Sequence, residues 1–473
     1  MSGATNHEPS VMAILRELEP NLAVEGLRAV PSSKHQRRFE LQLSDNSLYE
    51  LVLNPPPMTK LLRYEHALVG SEALIVRWMH ESASGTAVHG GTNHQAAQDE
   101  HKGCSASSDN TTTPLNLVQM LPSLVGHRSA SVQGPPIRET YSIFEQPGHG
   151  VVMAALSGNI TSEQRRSLDS QLGRLAHDLA GITSPSGKFG PAAHVLSSGK
   201  ERGSNAVATI DGEETWSGAF HAMLEAILRD GEDMTVAMPY SAVRMHFGRL
   251  AHYLDSVTEP RLVLLDVADE NNVLVKGVEG LEEADDHICR GDSWKKPVDQ
   301  VVSPGTLVPR EPYRNAKDRG EGWGGPARPP FKAHRESGDD IDNHDHDRET
   351  ASEVSKRRGE TPQLLGLRDW SNCVFGDPLF ARAFSSNPSE AFLSGFYSSE
   401  DNGPTQHSLV QDRPNLALRL LLYQAYHAAV DIVQEFYGRR SESSRIELAA
   451  RRQLNEVLLQ MDQLSQNRTG KAQ

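Results

Sequence analysis

The alternation of apolar and polar residues near the start of the chain predicts a β-hairpin. Residues 38–43 alternate polar with apolar, a short run of turn-forming residues follows, and residues 48–53 supply the return strand. Three prolines at 55–57 end that strand, because proline cannot donate a hydrogen bond to a ladder. Residues 61–80 change to helical periodicity, and residues 141–145 are typical of one more strand. This part of the chain is therefore predicted to be a small strand-rich unit with one helix.

Beyond that strand the pattern becomes mainly helical. Residues 147–150, Pro-Gly-His-Gly, are chain breakers of the kind expected at a hinge. Thr161 and Gln164 form a capping box ahead of the first helix. Further helices are predicted over residues 216–228, 240–254, about 414–438 and 444 to about 464. Two short apolar runs, which lead to Asp266 and Asp369, lie between these helices and should be strands.

Two long segments contain almost no large apolar residue, the first over residues 82–113 and the second over about 276–361. Structureless stretches of this length inside a domain are best interpreted as disordered insertions. The predicted organisation is a flexible N-terminus over residues 1–35, a strand-rich unit over 36–147, a helical unit over 148–464 and a tail over 465–473.

Composition and charge narrow the class of protein. A hydrophobic share of 37% indicates a real core diluted by polar segments, and a net charge of −15 disfavours binding to nucleic acid, which needs clustered Lys and Arg. The three cysteines form no CxxC pair, and the N-terminus shows no signal peptide, so we expect a soluble cytoplasmic protein. The most apolar long stretch, residues 416–433, contains Arg419 and Asp431, which argues against a membrane span.

Candidate chemistry lies at the ends of the two short strands. Residues 262–265 lead to Asp266, Asn271 follows five positions later, and the second strand ends at Asp369. Phosphoryl transfer needs one carboxylate for the proton of an attacking hydroxyl, and an Asn with a second carboxylate for Mg²⁺. Asp-x-x-x-x-Asn with a downstream Asp is also the spacing of the kinase catalytic loop. Either motif alone more often marks a turn, but the two in this order, behind a hairpin, a helix and a hinge, favour a kinase-like site.

The run Asp369-Trp370, followed by Gly376-Asp377-Pro378, resembles the aminoglycoside phosphotransferase and choline kinase-like branch of the protein-kinase-like fold. The predicted helix that starts at Trp216 looks like those of fungal members. The resemblance covers roughly residues 35–80, 115–275 and 362–464. It implies an α+β, two-lobed fold, with a small strand-rich N-lobe, a mainly helical C-lobe and the two disordered insertions.

The resemblance also implies roles for individual residues. Asp266 falls on the catalytic base, and Asn271 and Asp369 fall on the Mg²⁺ ligands, with Asn272 as the fallback if the register slips by one. Glu72 resembles the glutamate that pairs with the nucleotide-binding lysine. For the cofactor, ATP, adenine is expected near Glu145 and Gln146. For Asp377, Gly376 and Trp370, structural roles are expected, with Asp377 capping the following helix.

The sequence departs from this family at three places. Asn54 stands where the family has the lysine that clamps the nucleotide phosphates, so that clamp is missing unless Lys60 or Arg63 replaces it. Leu264 stands where a histidine usually precedes the catalytic Asp. Residues 26–37, where a glycine-rich loop would cover the nucleotide, contain a single glycine.

The leading hypothesis is an ATP- and Mg²⁺-dependent kinase that phosphorylates a hydroxyl group of a small molecule. The alternative is a catalytically impaired, pseudokinase-like binding or regulatory protein, with the insertions as possible contacts for a protein partner. A protein kinase is less favoured, because no Ala-Pro-Glu sequence follows Asp369. An acidic pocket wall, with Asp377 or Glu435 as candidates, would favour an amine-bearing substrate.

Overall fold

The computed structural model describes residues 14, 24–30, 32, 34–44, 47–56, 58–84, 115–129, 140–156, 160–197, 212–276, 361–397, 409–438 and 443–469. The predicted insertions over residues 82–113 and 276–361 lie outside the described residues except at their edges.

The N-terminal lobe is built on one antiparallel sheet of five strands. Their bounds are β1 Val24–Val30, β2 Arg37–Leu43, β3 Leu48–Leu53, β4 Ser123–Arg128 and β5 Tyr141–Glu145. The strand order is β1-β2-β3-β5-β4, so the predicted hairpin, β2–β3, lies at the centre. The sequence division places residues 1–35 in a flexible N-terminus, and this boundary is too late, because β1 pairs with β2 as an edge strand of the sheet.

The two faces of this sheet are packed in different ways. Leu41, Leu51, Leu53 and Ile143 form a buried apolar cluster, because alternate residues of neighbouring strands point to the same side. The helix α1 (Leu68–Ala83) packs against β4 and β5. This helix runs three residues beyond the predicted end at residue 80.

The C-terminal lobe is mainly helical. Its helices are α3 Ser162–Ala180, α4 Ala192–Ser197, α5 Trp216–Asp233, α6 Tyr240–Leu250, α7 Arg382–Ser385, α8 Glu390–Tyr397, α9 Leu416–Tyr437 and α10 Ser443–Thr469, and a short helix, α2 Leu115–Val118, precedes β4. The capping box predicted for α3 is present, with Thr161 and Gln164 bonded to each other's backbone. Helix α10 continues to residue 469, so the predicted tail over 465–473 is helical in its first part.

Two small sheets in this lobe carry the candidate site. Their strands are β6 Val151–Val152, β7 Gly190–Pro191, β8 Arg261–Leu264, β9 Val273–Lys276, β10 Gln363–Leu367 and β11 Cys373–Gly376. They form sheets of order β10-β9-β6 and β7-β11-β8. A five-stranded sheet with one packed helix, a hinge and a helical lobe with short hairpins is the two-lobed, protein-kinase-like α+β arrangement, so the predicted fold class is confirmed.

The helix α9 is apolar enough to be compared with a membrane-spanning helix. With the turn before it, residues Arg413–Tyr437 are long and apolar enough to cross a membrane by length and composition alone, but 67% of the most apolar window is buried inside the structure. Arg419, within it, is fully buried and pairs with Asp377. A core helix passes the same test, so this segment is weak evidence for a span.

Close packing of α3 against α8 gives a first prediction. A Cβ atom on Gly173 would lie well inside van der Waals distance of the carbonyl oxygen of Phe392, whereas one on Gly248 would meet nothing within 4 Å. We therefore expect Gly173→Ala to lower the free energy of unfolding by about 1–3 kcal/mol or more, because two backbones must move apart. Gly248→Ala, the control, should raise it by up to about 1 kcal/mol through helix propensity. Urea unfolding of both variants measures the difference, and equal effects would contradict this packing.

Candidate functional site

Asp266 and Asp369 are brought to one place by the two small sheets of the C-terminal lobe. Asp266 follows β8 after one residue, and Asp369 follows β10 after one residue. Asn272 ties the segments together, since its side chain accepts from the Asp369 amide (2.7 Å) and donates to the Asp369 carbonyl (3.0 Å). The Asp266 carboxylate accepts a hydrogen bond from Asn372 at 2.9 Å. The two predicted acidic residues are therefore neighbours, held by the buried Asn272 and the half-buried Asn372.

A lysine from the N-terminal lobe joins these carboxylates. The Nζ atom of Lys34 lies 3.1 Å from Oδ2 of Asp266 and 2.8 Å from Oδ2 of Asp369. Although burial lowers the pKa of Lys34, the two carboxylates raise it to a net value above its ordinary range. The ammonium group is thus a fixed positive charge at the centre of the site.

The candidate carboxylates are both ionised. Burial raises the pKa of Asp266, but Lys34, Arg382 and the bond from Asn372 outweigh it, and the net pKa lies below the ordinary value. For Asp369, burial is likewise outweighed by Arg38 and Lys34, which hold its pKa well below the usual range. Both side chains can therefore accept protons or bind cations at neutral pH.

Arg38, on β2, is the second cation of the site. Its guanidinium contacts Glu72 at 2.8 Å, Glu50 at 2.9 Å and Asp369 at 3.1 Å. Glu72 is fully buried on α1 and also accepts the backbone N–H of Trp370 at 3.1 Å. The predicted glutamate therefore does form an ion pair, but its partner comes from β2 and not from the end of β3.

The substitutes suggested by the sequence for the missing lysine lie elsewhere. Lys60 contacts the sulfur of Met234, and Arg63 pairs with Asp230 and Asp233. The contacts described for these two side chains do not include Asp369. The sequence left open whether either of them replaces the clamp, and in this structure both point toward α5 and the residue that follows it.

The two candidate asparagines have different environments. Asn271 is exposed, and its backbone and side-chain N–H groups donate to Asp269 Oδ1 at 3.0 and 3.1 Å. Asn272 is buried and occupied by the backbone of Asp369, with a longer contact to the Asp266 carbonyl at 3.4 Å. Asn271 lines the cleft beside Asp266 and Asp369, so its side-chain oxygen remains the candidate metal ligand.

A cavity of about 960 Å³ opens beside Asp266. Its apolar wall comes largely from α5 and α9, with Met223, Ile227 and Val430 among its residues. Glu435 also lines it, whereas Asp377, the other acidic candidate from the sequence, is held by buried partners outside it. The surface of this cavity is mostly apolar, although many polar and charged side chains also line it, and a space of this size can hold a small molecule.

An ion pair formed by Arg382 and Asp431 also lines this cavity. Arg382, on α7, donates to both carboxylate oxygens of Asp431 at 2.7 and 2.8 Å, and its backbone N–H donates to the carbonyl of Leu265. Its charge lowers the pKa of Asp266, so the guanidinium lies within electrostatic reach of that carboxylate. Arg382 is therefore a candidate contact for polar groups of a ligand in the cavity.

Glu145 and Gln146, the residues predicted to lie near adenine, make few contacts within the protein. The backbone N–H of Gln146 donates to the carbonyl of Leu48, and its side chain donates to Glu50 at 2.7 Å. Glu145 is paired with Tyr49 on β3, and its side chain is exposed. Glu145 ends β5 and Gln146 follows it, and their contact with a nucleotide stays a prediction.

The Gly376-Asp377-Pro378 sequence is a packing feature in this structure. Asp377 accepts the backbone N–H of Leu379 at 3.1 Å as an N-cap, and its other oxygen accepts from Arg419 (2.9 Å) and Tyr423 (2.8 Å). A Cβ on Gly376 would collide with the ring of Trp216. Trp370 is fully buried and donates to the carbonyl of Leu367. These residues pack in the core next to the site, and they line neither the large cavity nor the small cleft.

The oxygen atoms of this site suit a divalent metal ion, provided that Lys34 moves away. The described residues contain no cluster of three or more His, Cys, Asp and Glu side chains suited to a metal. Asp266 and Asp369 nevertheless present hard oxygen ligands that converge on one cation, the Lys34 ammonium, and Asn271 lines the same cleft. Asp369 and Asn271 could hold Mg²⁺ if Lys34 moved aside.

His427, in the cavity wall, gives a prediction about pH. Burial, together with the charge of Arg382, lowers its pKa to about 3, and its Nε2–H donates to the carbonyl of Phe380. In the unfolded chain its pKa is near 6.5. As pH falls below that value the unfolded state takes up the proton first, so the free energy of unfolding decreases between about pH 6.5 and pH 3.

The variant His427→Gln keeps a donor for Phe380 and removes this titration. Between pH 7.5 and pH 5, urea unfolding should show the wild type losing about 2 kcal/mol more stability than the variant. From pH 7.5 to 8.5 the two curves should run parallel, which serves as the internal control. Parallel curves over the acid range as well would show that His427 is not held neutral.

Sequence reasoning missed Lys34 and Arg38. No role was assigned from the sequence to the polar positions of the hairpin strands, yet Arg38 and Glu50 are buried in the structure. One signal was available, because pairing of β2 with β3 places Arg38 beside Val52, two residues from Asn54. Lys34 carried no such signal, since its position depends on the path of the β1–β2 connection.

Comparison with known proteins gives a distant likeness of fold. No family model and no curated protein matches the sequence. Among solved structures, aminoglycoside 2′-phosphotransferase-IIIa in complex with GDP is 9% identical, with a TM-score of 0.44 over 96% of this chain and 99% of that one. Macrolide 2′-phosphotransferase MphH from Brachybacterium faecium is 11% identical, with a TM-score of 0.39 over 94% and 98%. The likeness is too distant to bear on the chemistry of this chain.

Proposed function

We propose that the protein is a phosphotransferase that moves the terminal phosphoryl group of ATP to a hydroxyl group of a small molecule bound in the large cavity. The observation that carries the proposal is the convergence of two ionised carboxylates, Asp266 and Asp369, on one cation at the edge of that cavity. Phosphoryl transfer needs this pairing of a proton acceptor with a cation-binding carboxylate. The aminoglycoside phosphotransferase and choline kinase-like family, in its fungal branch, is the family we propose.

Asp266 would act on the substrate hydroxyl. Its carboxylate is ionised and oriented by Asn372, and it lines the cavity, so it can accept the proton as the hydroxyl oxygen bonds to phosphorus and the bond to the ADP oxygen breaks. Asp369 and Asn271 would hold Mg²⁺, which supplies charge neutralisation on the phosphates. Arg38 fixes Asp369 and Glu72 in position.

The substrate is proposed to be a hydroxylated molecule with an apolar body. The cavity wall is largely apolar, and Glu435 and the Arg382–Asp431 pair provide polar contacts. The proposal is tested by ATP turnover in the presence of a set of hydroxylated small molecules, with detection of the phosphorylated product. Product that forms with wild type and is absent with Asp369→Asn supports the proposal, and a complete screen without product above the Asp369→Asn background contradicts it.

A second candidate is a small-molecule-binding protein that does not use a nucleotide. It is favoured by the cation network, because Lys34 and Arg38 already neutralise Asp266, Asp369 and Glu72. In that case ligands would bind in the cavity without any requirement for ATP or a metal. Partners that contact the insertions, outside the described residues, would belong to this alternative.

The variant Asn54→Lys separates these candidates. In a kinase whose Glu72 pairs with Arg38 of β2, a new lysine at position 54 would find Glu72 already bonded. Nucleotide affinity should then change by less than about threefold, under 1 kcal/mol. Calorimetry with Mg²⁺-ATP on both proteins provides the measurement. A large gain over a wild type that does not bind would show a lost clamp and favour the second candidate.

A further inference from the structure

Lys34 lies in the connection between β1 and β2, yet its ammonium group reaches the carboxylates of the other lobe. Besides Asp266 and Asp369, it donates to Oγ of Ser371 at 3.1 Å, and its side chain is only 6% exposed. Three oxygen partners and near-complete burial distinguish this contact from that of a solvated surface lysine.

The place of Lys34 decides what can approach the carboxylates. Lys34, Asp266 and Asn271 line both the large cavity and a small cleft on the side of Arg38. That cleft has a volume of about 10 Å³, which corresponds to about one water molecule. The lysine side chain thus lies between the large cavity and the cleft, and its ammonium group occupies the position between the two carboxylates.

An ammonium group and a divalent cation need the same oxygens here. Mg²⁺ binds carboxylate oxygens at about 2.0–2.1 Å, and its charge would repel an ammonium held at hydrogen-bonding distance from those oxygens. Lysine is a compact charge on a flexible stem and a common phosphate ligand. Arg38 lacks this freedom, because Glu72 and Glu50 both hold it.

We infer that Lys34 is an internal cation that exchanges partners. It holds Asp266 and Asp369 together in the free protein, yields the Asp369 carboxylate to a divalent cation, and then pairs with nucleotide phosphates, so that it supplies the charge missing at Asn54. The exchange with a divalent cation needs only the oxygens of this site, whereas the contact with phosphates rests on the proposed function.

The first experiment measures Mn²⁺ binding without nucleotide, by the electron paramagnetic resonance signal of the free ion. Loss of the competing charge in Lys34→Gln should tighten Mn²⁺ binding by at least about tenfold. Lys34→Met is made in parallel, and near-ultraviolet circular dichroism identifies a folded variant. Mn²⁺ affinity in the folded variant that equals or falls below that of wild type would overturn the exchange.

Two controls locate the effect. Lys60→Gln removes one lysine charge at an exposed position near Met234 and should leave Mn²⁺ binding unchanged. Asp369→Asn, added to Lys34→Gln, should abolish the gain, because it removes one of the two converging carboxylates. A gain that persists in this double variant would place the ion elsewhere and contradict the inference.

The second experiment compares ATP with adenosine in the presence of Mn²⁺. Lys34→Gln should weaken ATP binding by about tenfold, since one phosphate contact is lost, and leave adenosine binding unchanged. Equal ATP affinity in variant and wild type would overturn the phosphate contact. If neither protein binds nucleotide while Mn²⁺ still binds more tightly to Lys34→Gln, the proposed phosphotransferase fails and the exchange with the metal stands.

Discussion

Asp266→Asn is expected to lower the rate of phosphoryl transfer by about 10²–10⁴-fold, with a smaller effect on substrate affinity. Asparagine keeps the shape of the side chain and an oxygen for Asn372, but it cannot accept the proton of the attacking hydroxyl. The measurement is single-turnover formation of the phosphorylated product with the substrate found by the screen. A loss in kcat without a matching rise in KM would identify a group that acts in the transition state.

The matched control for this variant is Asp269→Asn. Asp269 lines the same cavity three residues away, and its Oδ1 acceptor for Asn271 survives the change. We expect the control to retain most of the activity, because nothing in its geometry requires a negative charge. Turnover by Asp266→Asn at the wild-type rate, or equal losses in both variants, would refute the role of Asp266 as the base.

Arg419→Met is expected to produce a large loss of stability, because it breaks a buried ion pair. Arg419 is fully buried and pairs with Asp377, whose other partners, Tyr423 and Leu379, cannot neutralise its charge. Breaking a buried pair by removing one partner leaves an uncompensated charge and costs about 3–5 kcal/mol. Urea unfolding followed by circular dichroism measures the free energy of unfolding of the variant and the wild type.

A surface arginine provides the comparison. Arg244 pairs with Glu225 and Glu232 at the surface of the helical lobe, so Arg244→Met should cost less than about 1 kcal/mol. If the two variants lost similar stability, the contacts of Asp377 with Arg419 and Tyr423 would not be what fixes α9 to β11. If Arg419→Met lost activity without losing stability, the cluster would have a direct part in the chemistry.

The arrangement of lobes followed from local patterns in the sequence. Period-two alternation identified β2 and β3, the capping box at Thr161 identified the start of α3, and strand-to-acid junctions identified Asp266 and Asp369. These signals are local, because each depends on neighbouring residues that set backbone conformation or strand termination. The chain positions of β2, β3, β5, β8, β10 and the long helices were therefore predictable to within a few residues. The sequence pattern did not predict β1, β4, β6, β7, β9, β11 or the short helices α2, α4, α7 and α8.

The cations of the site were not predictable in the same way. Arg38 is a polar position on β2, and it is buried among partners distant in sequence, Glu72 and Asp369. Lys34 meets its carboxylate partners across more than 230 residues of sequence, a pairing that no local rule encodes. Asn54 marked the absence of the expected clamp, but only the tertiary structure shows which side chains carry positive charge to the site.

The most direct test of the central claim is calorimetric binding of Mg²⁺-ATP to wild type and to Asp369→Asn. The account predicts metal-dependent binding to the wild type that is lost in the variant, because one of the two carboxylates that converge on the cation position is gone. The variant retains the shape of the side chain, so circular dichroism should show an unchanged fold. Absence of binding to the wild type at millimolar ATP, or equal binding by both proteins, would contradict the claim that this site handles a metal-bound nucleotide.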